Sequence, residues 1–76
     1  MSVTVKYFAS IRESLGRGED VVELPAACTV SELWQRAARA PMPPRLLAAI
    51  NQEYAGLDAV LHDGDEVAFF PPVTGG

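Results

Sequence analysis

Apolar and polar side chains alternate in three stretches of the chain. At the start of the chain the apolar positions are Val3, Val5 and Tyr7. A period of two is typical of a strand with one buried face, so we predict strands over residues 2–9, 20–24 and 66–70. In the second of these strands, Val22 and Leu24 share the buried side.

A repeat of three and four residues replaces this alternation in the middle of the chain. The apolar positions of the repeat are Val30, Leu33, Trp34, Ala37 and Ala38. Such a stripe predicts an amphipathic helix with Trp34 in the core. Thr29 and Glu32 have the spacing of a capping box, which starts a helix, and three prolines within residues 41–44 prevent its continuation.

Shorter elements are predicted from capping and turn signals. Ser10-x-x-Glu13 repeats the capping-box spacing and predicts a short helical turn before Gly16. We predict a brief turn over residues 45–48, then a short strand ending in a turn at 51–52. A small return strand over 53–55 and a tight turn over 63–65 complete the pattern.

The order of these elements is strand, strand, helix, short strands and final strand. This order predicts an α+β domain in which one main helix covers one face of a mixed sheet. Side-by-side parallel pairing of the first and last strands would give the β-grasp fold, which we predict. We assign residues 1–70 to this domain and residues 71–76 to an extended C-terminal tail.

Length and charge exclude several classes of function. A chain of 76 residues forms one domain, which buries roughly 60% of its unfolded surface and has little room for a deep pocket of its own. The net charge of −4 argues against nucleic acid and anionic membranes, and favours a basic protein partner. The chain has no signal-peptide pattern and a single cysteine, which fits a cytoplasmic protein.

The last eight residues, FFPPVTGG, contain no acidic, basic or thiol side chain. Their ionisable group is the carboxylate of Gly76, which is therefore the candidate reactive group. Two glycines without Cβ atoms fit a narrow channel, and the two prolines stiffen the segment before them. At about 3.3 Å per residue, residues 71–76 reach roughly 20 Å, far enough to enter another protein.

The tail and the order of elements together carry a family resemblance. It is sharpest over residues 63–76, with support from residues 6–13 and 47–52, whereas residues 25–45 contribute little. The chain resembles the small, sulfur-carrying subunits of molybdopterin synthase, which are ubiquitin-like β-grasp proteins. A terminal Gly-Gly alone is a weak signal, but its combination with Phe-Phe-Pro-Pro-Val-Thr is specific.

The resemblance implies a chemistry in which the chain is a carrier and not an enzyme by itself. An adenylating partner related to ubiquitin-activating enzymes uses ATP and magnesium to form an acyl-adenylate at Gly76. A sulfur donor then converts it to a thiocarboxylate. The tail enters the large synthase subunit, in a heterotetramer, and gives its sulfur to cyclic pyranopterin monophosphate to build the dithiolene of molybdopterin. The carrier itself holds no cofactor and no metal, and the catalytic residues belong to the large subunit.

Roles for the individual tail residues follow from the same resemblance. Gly76 is the covalent site. The residues expected to enter the partner are Val73, Thr74 and Gly75, and those expected at the partner interface are Phe70, Pro71 and Pro72. In the last strand we assign Val67 and Phe69 to the core and Phe70 to the opposite face. Phe70 is then either an interface anchor or a cap on the edge of the core.

Other residues with reactive or ionisable side chains are assigned structural or surface roles. Cys28 precedes a helix, but without a nearby His we interpret it as a small apolar core residue. We expect His62 to face solvent. Three arginines are interpreted as a solvated face: Arg12, Arg36 and Arg39. Four acidic residues lack the spacing of a calcium loop and are assigned to turns and the surface: Asp58, Asp63, Asp65 and Glu66.

Three alternative functions stay open at this point. A ubiquitin-like protein modifier would use the same Gly-Gly end to form isopeptide bonds. A sulfur carrier of the thiamine pathway has the same terminus, usually without the Phe-Phe-Pro-Pro stretch. A plain interaction module is the third.

Overall fold

The computed structural model describes residues 1–72, which form five strands and two helices. In chain order these elements are β1 (Ser2–Tyr7), α1 (Ala9–Leu15), β2 (Glu19–Glu23), α2 (Val30–Ala37), β3 (Leu47–Ile50), β4 (Glu53–Ala55) and β5 (Glu66–Phe70). The predicted order and types of element are confirmed. The boundaries differ most at β1, which ends two residues early, and at residues 45–48, where the predicted turn gives way to β3 from Leu47 onward.

The five strands form one mixed sheet in the order β2-β1-β5-β3-β4. Strands β1 and β5 are parallel neighbours at the centre, in a register that runs from Thr4 opposite Glu66 to Tyr7 opposite Phe69. The other three pairs are antiparallel. The first and last strands therefore lie side by side, which confirms the β-grasp arrangement.

Helix α2 covers one face of this sheet, and three aromatic rings join the helix to the two central strands. The Trp34 ring meets Phe69 edge-on with 5.1 Å between ring centroids, and Tyr7 stacks on Phe69 at 6.3 Å. The indole N–H of Trp34 donates to the carbonyl of Ala40, so its polar atom is satisfied. The five predicted stripe residues of α2 are all buried, as is Cys28.

The two predicted capping boxes have different outcomes. At α2 the backbone N–H of Glu32 donates to the Thr29 hydroxyl, and the backbone N–H of Thr29 donates to the Glu32 carboxylate. At α1 the prediction is wrong, since the helix begins at Ala9 with Phe8 as its N-cap and no side-chain cap. The amide of Phe8 still donates to Phe69 of β5, so the helix starts as soon as the strand ends, and Ser10 already lies inside it.

The acidic turn before β5 is also only partly as predicted. Gly64 has the positive φ of 85° that a tight turn there requires. Asp65, however, is buried and not a surface residue. Its carboxylate accepts hydrogen bonds from the His62 amide at 2.8 Å and from the Asn51 side chain at 3.0 Å, while the Asn51 side-chain oxygen accepts from the Glu66 amide. This network ties the start of β5 to the β3–β4 turn.

A second polar network lies where β1 meets β2. The Tyr7 hydroxyl donates to Asp20 at 3.0 Å, and the Arg17 guanidinium donates to the same carboxylate oxygen at 2.7 Å. Burial, and then the neighbouring Asp20, raise the pKa of Tyr7 to about 12, against an opposing effect of Arg17. The phenol therefore stays neutral in the folded chain at a pH where an unfolded tyrosine ionises.

This shift predicts an alkaline loss of stability that depends on Tyr7. Below a pH of about 10 its contribution is complete, and it is lost as the pH rises toward about 12. Tyr7→Phe removes one hydrogen bond, which costs about 1 kcal/mol at neutral pH, but it also removes the ionisation. Urea unfolding from pH 8 to 12 measures the free energy of unfolding of both proteins. The difference between wild type and variant should shrink above about pH 10. Parallel pH profiles would contradict this assignment.

Candidate functional site

The chain leaves the sheet at the end of β5, from the centre of the fold. Phe69, the penultimate residue of this strand, is fully buried, and its carbonyl accepts a hydrogen bond from the Phe8 amide at 3.1 Å. Pro71 and Pro72 come directly after Phe70, the last residue of the strand, and are half-buried. The core and the neighbouring strand thus fix both the position and the direction in which the tail begins.

Phe70 points to the face of the sheet that α2 does not cover, as predicted, and it is half-buried there. It pairs with Leu47 of β3, and its ring lies 5.8 Å from the ring of Tyr54 on β4. Tyr54 is 78% exposed. Phe8 follows Tyr7, the residue that pairs with Phe69, so it lies beside Phe70, and it is 47% exposed. These four residues, Phe8, Leu47, Tyr54 and Phe70, form an apolar surface around the point where the tail begins, which we call the exit patch.

The exit patch shows which part of the site sequence reasoning missed. The tail motif predicts a role for Phe70, whereas the places of Tyr54 and Phe8 in the patch depend on the order of the strands. Tyr54 alternates with Glu53 and Ala55, a pattern that indicates an exposed aromatic on a short strand. That signal becomes informative only once the sheet order places β4 on the side of β3 away from β5.

The remaining predicted site residues lie outside the part of the chain that the structure describes. They are Val73, Thr74, Gly75 and Gly76, and the roles assigned to them stay predictions. The roles of Phe70, Pro71 and Pro72 at an interface likewise stay predictions, although their positions at the tail's origin are now fixed.

The polar surroundings of the exit patch are sparse. On the same face, Lys6 and Glu66 form an ion pair at 3.4 Å between β1 and β5. Arg12 lies beside Phe8 in a shallow groove of about 440 Å³ and is exposed, as predicted. Within residues 1–72 no group of three His, Cys, Asp or Glu side chains is placed to hold a metal ion. His62 is 82% exposed, which confirms its predicted position.

Comparison with known proteins decides the family. The ThiS family model matches residues 5–76, nearly the whole chain. The chain belongs to the ThiS family. It is 46% identical to the molybdopterin synthase sulfur carrier subunit of Escherichia coli, over 97% of this chain and 99% of that protein.

Two solved structures are similar to this ThiS-family chain over almost its full length. SAMP1, small archaeal modifier protein 1, from Haloferax volcanii has a TM-score of 0.81 and 27% identity, with 100% of both chains covered. The putative molybdopterin converting factor subunit 1 of Pyrococcus furiosus has a TM-score of 0.77 and 31% identity, covering 96% of this chain and 99% of that one. Both likenesses support the β-grasp assignment. In the described residues of the ThiS-family chain, no helix is long and apolar enough to cross a membrane.

The opposite orientations of Phe69 and Phe70 predict different costs of truncation. Phe69→Ala should lower the free energy of unfolding by about 3–5 kcal/mol, because it empties the space between Tyr7 and Trp34. Phe70→Ala should cost only about 1 kcal/mol, because its ring lies on the half-exposed face. Urea denaturation of both variants measures the difference. Equal costs would show that Phe70 caps the core and is not available to a partner.

Proposed function

We propose that this ThiS-family chain is the sulfur carrier subunit of a molybdopterin synthase and carries sulfur as a thiocarboxylate on Gly76. The observation that carries the proposal is its 46% identity, over nearly full length, to the Escherichia coli protein of that name. The structure adds a physical basis, since the tail originates at a fixed point in the sheet, beside the exit patch.

The first step is activation of the terminal carboxylate. A carboxylate is an anion at neutral pH and resists nucleophiles because it has no good leaving group. We propose that a ubiquitin-activating-like adenylyltransferase uses ATP and magnesium to form the acyl-adenylate, releasing pyrophosphate. A sulfur donor then attacks the acyl carbon and AMP leaves, so that sulfur replaces one carboxylate oxygen.

The second step is delivery to the large synthase subunit. There the thiocarboxylate sulfur forms a C–S bond with cyclic pyranopterin monophosphate and displaces an oxygen substituent. Water then cleaves the resulting thioester to Gly76, which leaves the sulfur on the pterin and restores the carboxylate. Two such deliveries complete the dithiolene. We assign the catalytic acids and bases to the large subunit, because six tail residues at about 3.3 Å each would carry the Gly76 sulfur up to roughly 20 Å beyond β5, out of reach of the side chains of this domain. Two carriers and two large subunits would form the heterotetramer. We place this chemistry in the reducing cytoplasm.

The exit patch has a defined part in this proposal. An exposed aromatic cluster beside a tail origin anchors a partner while the tail itself enters the partner's active site. Because Phe69 is fixed in the core, docking of the neighbouring Phe70 sets how far the tail reaches. The carrier thus supplies position, and the partner supplies catalysis.

The likeness to SAMP1 favours a second candidate function, that of a protein modifier. A modifier would transfer the activated Gly76 carboxyl to a lysine amine and form an isopeptide bond, and not accept sulfur. Conjugates that join Gly76 to lysines of other proteins would support this reading. A thiamine-type carrier would instead bind a thiazole-forming enzyme, which a pull-down from cell extract detects.

The proposed reaction predicts a defined change in mass. Incubation with the adenylating enzyme, ATP, magnesium and sulfide should add about 16 Da to the intact chain, the difference between one sulfur and one oxygen atom. The matched control is the chain without Gly76. Its terminal carboxylate, on Gly75, should not reach the adenylating site, so its mass should not change. Its melting temperature should equal that of the wild type, because every described contact is retained. No gain in mass on the intact chain would overturn the proposal.

The exit patch generates a second prediction. Phe70→Ala should weaken binding to the large subunit by about tenfold or more, as expected for a central aromatic anchor, and should affect adenylation less. Val21→Ala is the matched control, since Val21 is an exposed apolar residue on the same face at the far edge of the sheet. Isothermal titration calorimetry with the large subunit gives the two affinities. A greater effect on adenylation than on binding would assign Phe70 to the activating partner instead.

A further inference from the structure

The edge of the sheet formed by β2 carries unused backbone hydrogen-bonding groups. The amide of Leu24 donates to the Met1 carbonyl at 2.7 Å, and the N-terminal ammonium group of Met1 donates to the Leu24 carbonyl at 2.7 Å. Bonded and non-bonded pairs alternate along an antiparallel ladder, so the even-numbered residues of β2 bond to β1 and the odd-numbered ones direct their N–H and C=O groups outward. Those outward residues are Glu19, Val21 and Glu23. Nothing in residues 1–72 hydrogen-bonds to their outward backbone groups.

A basic groove of about 400 Å³ lies beside this edge, between β2 and the C-terminal end of α2. Its apolar part is made by Val22, Ala37 and Ala38, and its cationic part by Arg17, Arg36 and Arg39. The chain has only six Lys and Arg residues and a net charge of −4. Half of its cationic side chains thus line one groove of an acidic protein.

The three arginines differ in how far their charge is already used. Arg17 donates to Asp20 at 2.7 Å and to the Ala37 carbonyl at 2.6 Å, so it neutralises the acidic residue of the groove and fixes β2 against α2. Arg36 and Arg39 are exposed and form no ion pair with any residue from 1 to 72. Two uncompensated positive charges therefore face the same groove.

We propose that the β2 edge and this groove bind an extended acidic peptide segment of a partner protein, which joins the sheet as a sixth strand. The outward N–H and C=O groups of Glu19, Val21 and Glu23 supply main-chain hydrogen bonds to this strand. Side chains of an added strand alternate between the two faces, so carboxylates at every second position reach Arg36 and Arg39 on the helix side. Neutral or basic residues between them face Glu19 and Glu23 on the open side.

The charges on β2 argue against a second copy of this chain as the occupant. Antiparallel pairing of two β2 strands about Val21 would place Glu19 directly opposite Glu23 twice, and like charges in opposite positions are destabilising. A small anion would account for the arginines but would leave the outward backbone groups unused. An acidic strand accounts for both features.

The proposed docking edge lies apart from the exit patch. β2 and β4 are the two opposite edges of the sheet, and Tyr54 of the exit patch lies on β4. An acidic partner segment could therefore bind while the tail is engaged elsewhere. This inference does not depend on the proposed sulfur chemistry, and its test uses no adenylating enzyme or synthase.

The test is a titration of the full chain, labelled with ¹⁵N, by a capped peptide of about ten residues in which Glu and Val alternate. We expect shifts of the β2 amides and slower hydrogen exchange at Val21. Replacing Glu by Gln in the peptide should weaken binding by about tenfold, because the charge pairing is lost. A version N-methylated at alternate positions keeps the carboxylates but not the main-chain donors, and it should not bind.

Protein variants separate the groove from general electrostatics. Arg36→Gln with Arg39→Gln should weaken binding by about fivefold to tenfold. Arg45→Gln removes an exposed arginine outside the groove and should change the affinity by less than about twofold. The proposal is overturned if the double variant and Arg45→Gln lose equal affinity for the peptide. It is also overturned if the amide shifts lie away from β2, or if the N-methylated peptide binds as tightly as the unmodified one. It is also overturned if inorganic phosphate alone reproduces the shifts and displaces the peptide.

Discussion

The parallel ladder between β1 and β5 is the interaction on which the rest of this structure depends. It joins the first and last strands of the described chain and places both at the centre of the sheet. Such a contact spans most of the sequence, so the burial of the core that it assembles must offset a large loop-closure cost. The aromatic cluster of Tyr7, Trp34 and Phe69 holds helix, first strand and last strand together, and the ladder thereby also fixes where the tail begins.

The register of β5 converts this core into a functional surface. Side chains alternate between the two faces, so burial of Phe69 forces Phe70 onto the open face beside Tyr54. A slip of one residue would exchange the two and expose the ring that Trp34 contacts. The Asp65–Asn51 network prevents such a slip, because it fixes the Glu66 amide to the β3–β4 turn at the start of the strand. Core stability and the position of the exit patch are thus set by the same hydrogen bonds.

Local sequence signals were sufficient where a short segment determines its own structure. The apolar stripe and capping box of α2 are of this kind, since every interacting residue lies within about two turns of helix. The Ser10 capping box failed because a distant residue, Phe69, holds the Phe8 amide and moves the start of α1. Three other features also depend on residues far apart in sequence. They are the burial of Asp65, the contact between Tyr54 and Phe70, and the groove beside β2. Periodicity carries no information on such contacts, so these features appeared only with the fold.

The small size of the domain explains why its functional surfaces lie on its periphery. The aromatic rings and α2 fill the single core, so the surfaces left for partners are the open face, the two sheet edges and the chain end. A protein limited to such surfaces acts by presenting groups to others, which is what a carrier with a reactive terminus requires. The exit patch lies at the end of the parallel ladder and extends to β4, whereas the β2 edge lies beyond β1 at the opposite edge of the sheet. Because the two surfaces belong to different edges of one sheet, a partner at one of them need not displace a partner at the other.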